Sequence, residues 1–482
     1  MRKILFFLII PFVSFGQEIN SSNLPIIIIN TNNQNIPDSP RIICDMGIIY
    51  NPGERNYTTD EYNNYNGKIN IEIRGSSSQM FPKKSYGFET QYETGENYNT
   101  SLLDLPAEND WVLNGPYSDK SLIRNSLAYY LGGKLGHYAP RTRFCELIIN
   151  NNYMGIYVLT EKIKQDKSRV DIEIPSASDI TGGYIIKIDK PTDSEYLDHW
   201  YSNFYTLSNS SLLSLQYHDP KESELTIEEK NYIQNFIYEM ESVLVGSNDD
   251  AIFEYIDIDS FIDFFIINEL AKNVDAYRIS TFLYKDSDKH HSKLIAGPLW
   301  DFNLAFGNAN YCGASDFDGW IMNLNTNSDC TNEIPVWWNE LNKRSGYVEK
   351  LNARWEYLRG GALSTESIFN YIDSLSSETY EAQSRNFNQW NILHEYIWPN
   401  NYIGYNYPNE ISYLKYWIYS RLNWIDLNIN QIHSDIIVSC NDPDKKILKI
   451  TNASGKTIDK TANTLLFYIY DNGCVEKKYL IQ

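Results

Sequence analysis

Two short runs in the middle of the chain place carboxylates among apolar and aromatic residues. Asn273-Val274-Asp275 follows the greasy stretch around Phe264 and Ile267, and Trp300-Asp301-Phe302-Asn303 follows Leu294, Ile295 and Leu299, with Gly307 shortly after. A carboxylate is costly to desolvate unless a proton, a donor or a metal meets it, so acids that punctuate such segments usually have a task. One task is to orient a nucleophilic hydroxyl with the first acid while the second holds a phosphate-bound Mg²⁺. The competing reading is that both are strand-end acids capping turns, and spacing alone leaves the two level.

The elements that must position these residues follow from periodicity. Residues 69–74 alternate apolar and polar side chains and are closed by Gly75 and three serines, so they form a strand. Residues 86–90 read as its return strand, with Lys83 and Lys84 at the mouth. Ser118-Asp119 can cap a helix that places Ile123, Leu127 and Leu131 on one face. Residues 144–149 and 155–161, joined through Asn150-Asn151-Asn152, make a hairpin, and 183–189 supply another strand. Strands with one intervening helix predict the small α+β lobe of a nucleotide-binding enzyme. From Leu225 the period becomes helical, and one helix carrying Phe261, Phe264, Phe265, Ile267 and Leu270 leads into Asn273. Strands at Thr281–Lys285 and 293–295 follow, then helices around 368–375 and 414–429. After Ile432, four short strands at 436–439, 446–451, Leu465–Tyr470 and 477–481, with Asn-Gly turn chemistry, predict a small β-module.

Bulk properties narrow the class. Met1-Arg2-Lys3, an apolar run to Phe15, and small Ser14 and Gly16 predict a secretory signal peptide over 1–16, followed by a leader over 17–40. No later run is long and apolar enough to span a membrane. A formal charge of −21 over 482 residues argues against nucleic acid, so an anionic ligand must be met by local cations, which gather at Lys83-Lys84 and between Lys162 and Arg169. The six cysteines contain no CxxC pair, which argues against a zinc site. An exported chain would pair Cys312 with Cys330 and Cys440 with Cys474, with free buried thiols as the alternative.

Taken in order, the motifs resemble the CotH kinase family, the spore-coat protein H group of secreted atypical protein kinases. They are Ile73-Arg74-Gly75-Ser76-Ser77-Ser78, Phe81-Pro82-Lys83-Lys84-Ser85-Tyr86, Trp111-Val112-Leu113, Asp119 with Leu122-Ile123-Arg124-Asn125, and Tyr153 through Glu161. Gly182-Gly183-Tyr184, Asn273-Val274-Asp275 and Gly297-Pro298-Leu299-Trp300-Asp301-Phe302-Asn303 with Gly307 complete the set. The resemblance implies an α+β, divergent two-lobed protein-kinase-like fold over 41–431, and phosphoryl transfer from ATP, with Mg²⁺, to Ser or Thr of secreted or cell-surface proteins. By the same resemblance Asp275 is the catalytic acid and Asp301 the metal ligand. Lys84 is the candidate cation on the phosphates, with Lys83 as its substitute and a solvated surface lysine as the other reading. Arg74 and Arg124 either supplement it through bidentate phosphate contacts or pair with Glu72, Glu161 or Asp119. Glu161 either orders the lysine or adjoins the adenine.

One departure stands out. The family usually carries a second acid two residues after the Trp-Asp pair, where this chain has Asn303. An amide oxygen can ligate Mg²⁺ but brings no charge, and Asn273 is a further amide nearby. The last segment, 432–482, whose short strands read as a small β-sandwich, resembles the sorting domain of the type IX secretion system in its Ser454-Gly455-Lys456 and Asn472-Gly473 turns and its Lys477-Lys478-Tyr479-Leu480-Ile481 end, which implies export across an outer membrane. The rival function is a catalytically silent surface adhesin or matrix protein, motivated by Asn303 and by Trp320, Trp337 and Trp338 as candidates for exposed aromatic contacts.

Overall fold

The computed structural model describes residues 19–190, 199–205, 212–246, 250–326, 334–432, 446–451, 465–470 and 475–479. The predicted signal peptide and the strand expected at 436–439 lie outside these residues. Two compact units divide the chain, residues 1–427 and 428–482.

The first unit begins with β1 (Ser21–Ser22), β2 (Ile26–Asn30), β3 (Ile42–Ile49), β4 (Asn56–Tyr57), β5 (Tyr65–Arg74), β6 (Ser85–Gln91) and β7 (Asp110–Asn114). Helix α1 (Arg124–Lys134), β8 (Thr142–Ile149) and β9 (Asn152–Glu161) follow. β1 and β4 form a two-stranded sheet, while the other seven strands close into a barrel in the order β2-β3-β5-β6-β7-β9-β8. All its pairings are antiparallel except β2 with β8, which closes the ring. The alternation seen at 69–74 explains the filling: Ile69 and Ile71 point inward to meet Phe88, Trp111, Leu113, Leu147 and Leu159 in one core. The β8–β9 turn needs two residues at positive φ, and Asn150 (48°) and Asn151 (65°) supply them.

The chain then leaves the barrel. β10 (Tyr184–Ile188), β11 (His199–Tyr205), β12 (Leu212–Asp219), α2 (Ile227–Gly246), α3 (Ile258–Ala271), β13 (Thr281–Lys285) and β14 (Ile295–Ala296) follow in sequence. The strands form a second sheet in the order β11-β12-β10-β13-β14. The strand read at 183–189 therefore belongs to this sheet and not to the lobe that contains residues 69–161. Alternation reveals a strand but not its neighbours, and β10 pairs with β13, nearly a hundred residues on. Helices α4 (Trp337–Leu341), α5 (Ser345–Arg359), α6 (Thr365–Gln389) and α7 (Tyr407–Asn428) complete the unit.

α3 is mostly apolar and is buried on all sides, in contact with α1, α5 and β14. Trp338 stacks on its Phe261 and Phe264. Trp337 (1% exposed), Trp338 (0%) and Trp320 (5%) are thus core residues and not surface aromatics. On the short helix α4, consecutive tryptophans are both buried. α6 lies along β9, where the Asn386 amide oxygen accepts from the Ile156 N–H (3.1 Å) and the Trp390 indole donates to the Met154 carbonyl (2.8 Å).

In the second unit the described residues form a three-stranded antiparallel sheet of β15 (Ile447–Thr451), β16 (Leu465–Tyr470) and β17 (Val475–Tyr479). Only one sheet is present among the described residues, where a sandwich of two was expected. Cys312 is disulfide-bonded, whereas Cys44 and Cys145 are free thiols inside the barrel, and burial pushes the Cys44 thiol up to about 12. Cys330, Cys440 and Cys474 lie outside the described residues. Among the described residues no helix is long and apolar enough to cross a membrane.

Candidate active site

The turn after α3 positions Asp275. Lys272 adopts a left-handed conformation (φ 44°) and ends the helix. The Asn273 side chain then accepts from the Asp275 N–H (3.3 Å), and the Asn273 carbonyl accepts from the Ala276 N–H (2.9 Å). The turn is anchored from within by Glu269. Its buried carboxylate accepts from the Ile321 N–H (2.7 Å), the Met322 N–H (2.9 Å), the Tyr277 hydroxyl (3.0 Å) and Arg421 (3.3 Å). Asp275 itself pairs with Arg278 Nη2 at 2.7 Å.

The second acid is set by α1. Asn125 and Tyr129 stand one turn apart on that helix, the side-chain oxygen of the first accepting from the Phe302 N–H (2.7 Å) and the hydroxyl of the second from the Asp301 N–H (3.1 Å). These bonds hold Asp301 at φ 62°, an unusual conformation for a residue other than Gly or Asn. Trp300 stacks on Tyr129 with centroids 5.9 Å apart, and the Arg74 guanidinium covers Trp300 at 5.3 Å. Arg74 is the last residue of β5, so the barrel supplies the cation and the turn after β14 supplies the acid.

Arg74, Asp275, Asp301 and Asn303 all line one cavity of about 600 Å³. Burial first, then the charges of Asp275 and Asp189, push the Asp301 carboxyl up to about 6, while Arg74 pulls it down. Asp275 is raised chiefly by burial, with Arg278 opposing. Burial lowers Arg74, and Asp301 opposes that. Oxygen donors gathered against their own repulsion suit a hard cation. Among the described residues no three His, Cys, Asp or Glu side chains cluster as a complete metal cage. Asp301 and the Asn303 amide, both on the cavity wall, are oxygen donors of the kind that suits Mg²⁺, which commonly keeps waters and takes its remaining ligands from substrate phosphates.

Three residues expected at the site are not on the cavity wall. Lys84 directs its ammonium at the Gln79 carbonyl. Arg124 is buried, paired with Asp119 at 2.5 Å, and donates through Nε to the Ala305 carbonyl (3.1 Å), fastening α1 to the loop after Asp301. Glu161 is buried against Arg141 (2.8 Å) and also accepts from the Tyr138 hydroxyl. Lys83 is enclosed, its ammonium spent on the Ile156 carbonyl (2.6 Å), Asn386 (2.8 Å) and the Pro116 carbonyl (3.3 Å), and burial lowers it to about 7.

The cavity also contains residues the sequence reading did not single out, notably Asp189, Lys187, Arg278, Tyr311 and Trp398. Asp189 pairs with Lys187 at 3.2 Å. It is an acid at the end of an apolar strand, so the argument applied to Asp275 would have found it. Arg278, three residues beyond Asp275, was within reach of the same pattern.

The family model described as CotH kinase protein matches residues 71–425, which is more than half of the chain and contains every cavity residue named above. A curated relative is Inner spore coat protein H of Bacillus subtilis (strain 168), 22% identical over 239 residues, covering 50% of this chain and 59% of the relative. The match thus spans less than two thirds of that protein's length. On the extent of the family match, with both acids on one cavity wall, the chain belongs to the CotH kinase family.

Proposed function

We propose that this chain is an atypical protein kinase that transfers the γ-phosphate of ATP to Ser or Thr hydroxyls of secreted or cell-surface proteins. The observation that carries the reading is the convergence of Asp275, Asp301 and Arg74, from three separate elements, on one cavity where acids and cations meet. Phosphoryl transfer demands positioning and charge neutralisation rather than covalent chemistry, and these residues supply both. Asp275 accepts a hydrogen bond from the acceptor hydroxyl and orients it, and Arg278 favours its ionised form. Arg74 contributes a guanidinium suited to phosphate oxygens. Asp301 and Asn303 would hold Mg²⁺, with Asp301 bringing the charge. Bound Mg²⁺ supplies neutralisation of the phosphate oxygens and of the crowded carboxylates.

In this reading the barrel and the helical portion that carries the second sheet correspond to the two lobes of a kinase-like fold, residues 1–16 direct export, and residues 432–482 act as a type IX sorting domain. The adhesin alternative loses its aromatic motive, because Trp320, Trp337 and Trp338 are buried. Calorimetry with ATP, with and without Mg²⁺, tests the nucleotide site. Mg²⁺-dependent affinity that disappears in Asp301→Asn supports the proposal, and binding indifferent to both Mg²⁺ and that substitution contradicts it.

A further inference from the structure

The end of the cavity around Asp275 holds more donors than its own acids use. The Arg278 side chain, only 16% exposed, lines this end. Its Nη2 is spent on Asp275 (2.7 Å) and on the Val274 carbonyl (3.4 Å), whereas its enclosed Nε and its Nη1 have no acceptor among the described residues. Tyr311 stands on the same wall, its ring nearly parallel to Trp398 with centroids 6.0 Å apart. The Asn310 N–H donates to the Pro399 carbonyl (2.9 Å) and the Asn401 N–H to the Asn308 carbonyl (2.7 Å), so the two loops that carry this stack are tied together. The Tyr311 hydroxyl has no hydrogen-bond partner among the described residues. Burial and then the Asp275 charge push it up, with Arg278 opposing, so it keeps its proton and stays a donor.

Lys190, just beyond β10, is the third donor. It is exposed on the cavity wall and has no ion pair among the described residues, unlike Lys187, which Asp189 occupies at 3.2 Å. Burial raises the Asp275 carboxyl, Arg278 lowers it, Asp189 raises it and Lys190 lowers it, so both cations stand within electrostatic reach of that acid. A mostly buried guanidinium with open nitrogens, a lysine with no acid to answer and a protonated phenol are suited to an anion brought by a ligand.

We propose that Arg278, Lys190 and Tyr311 form an acceptor subsite beside Asp275, which takes an anionic residue, a carboxylate or a phosphorylated side chain, flanking the Ser or Thr to be modified. The inference rests on reading Asp275 as the acid that orients the acceptor hydroxyl, and it deepens that reading by naming the class of acceptor. A basic flanking residue would meet Arg278 and Lys190 as like charges. The formal charge of −21 opposes an acidic acceptor at long range, but salt screens exposed charges beyond about 8 Å, so the local cations decide once the segment is seated. Trp398 serves the subsite by holding the Tyr311 ring in place.

The test is calorimetry on the full chain with peptides whose central Ser is replaced by Ala and whose neighbours are Glu, Gln, Lys or phosphoserine. The Glu-flanked peptide should bind at least tenfold more tightly than the Gln-flanked one. Tighter binding still of the phosphoserine-flanked peptide assigns the anion to phosphate, and the opposite order assigns it to carboxylate. Tyr311→Phe should reduce the preference for Glu over Gln at least threefold. Lys190→Glu should abolish it and bind the Lys-flanked peptide more tightly than the parent does, with the parent's order restored in Lys190→Arg. A misfolded variant would lose every peptide alike and could not gain the Lys-flanked one. Glu- and Gln-flanked affinities equal within twofold in the parent, or a preference unchanged in Lys190→Glu, overturn the subsite. Labelling of Ser-centred peptides by γ-labelled ATP separates this from the function itself. Transfer that ignores the flanks overturns the subsite and leaves the kinase reading intact, whereas flank-dependent binding without transfer supports the subsite and removes the kinase reading. Neither peptide binding nor transfer in the parent overturns both.

Discussion

Asn303, where the resemblance leads one to expect a second acid, shares a cavity with Asp301, whose carboxyl is pushed up by burial. An ionised carboxylate attracts a divalent cation more strongly than an amide, so Asn303→Asp should tighten Mg-ATP by about tenfold, roughly 1.4 kcal/mol. Calorimetry at fixed Mg²⁺ checks this, and an unchanged dissociation constant in the folded variant would place residue 303 off the metal. Arg278 gives a second expectation, since it pairs with the acid that is to receive the hydroxyl. Its replacement by Gln should lower kcat by about ten- to a hundredfold, within the range of one positioned electrostatic group. Steady-state kinetics at saturating nucleotide would show it, and an unaltered kcat would mean that Asp275 needs no such partner. Both acids were legible because a carboxylate in an apolar segment is a conflict visible without coordinates. Lys84 and Arg124 were not. A lysine at a strand mouth can turn to either side, and the buried pairing of Arg124 with Asp119 competes with any ligand through partners that only folding reveals.

At the scale of elements, turns and helices decide where the acids stand. Gly307 was part of the sequence motif without an assigned reason, and the reason is α7. It adopts φ 72°, and a Cβ there would lie 2.3 Å from Cδ1 of Trp417, whose indole donates to the Ser315 carbonyl (2.7 Å). Gly307→Ala therefore combines left-handed strain with overpacking, and should cost about 2–4 kcal/mol by urea denaturation. A loss below about 0.5 kcal/mol, the range of an ordinary surface change, would show that the α7 contact relaxes freely. Strand β13 was readable to its ends, whereas the helices expected around 368–375 and 414–429 cover only part of α6 and α7. The assignment of β10 to the second sheet was not readable, because its pairing with β13 is a long-range choice that alternation does not encode. The barrel closure was hidden for the same reason, since it depends on the parallel pairing of β2 with β8 across more than a hundred residues.

At the scale of the whole molecule, Glu241 of α2 ties three elements of the first unit together. Its buried carboxylate accepts from Ser202 (2.7 Å) on β11 and from the Trp337 indole (2.9 Å) on α4, and burial pushes it up to about 7. The folded chain keeps a proton that the unfolded chain releases above about 4.5, so stability falls as pH rises from there to about 7 and levels off beyond. Glu241→Gln should flatten that decline by up to about 3 kcal/mol, measured by denaturation at pH 5 and pH 8. An identical pH profile in parent and variant would assign the decline to other groups. The net charge of −21 makes the grouping of cations around the cavity all the more local, with Arg74, Lys187 and Arg278 meeting Asp189, Asp275 and Asp301 in one place. The central claim is that this place transfers phosphate, and γ-labelled ATP with Mg²⁺ tests it most directly. The account predicts Mg²⁺-dependent label on Ser or Thr of the chain or of an added secreted protein, abolished in a folded Asp275→Asn variant. Equal labelling by parent and variant, or none from a parent that binds Mg-ATP, would contradict it.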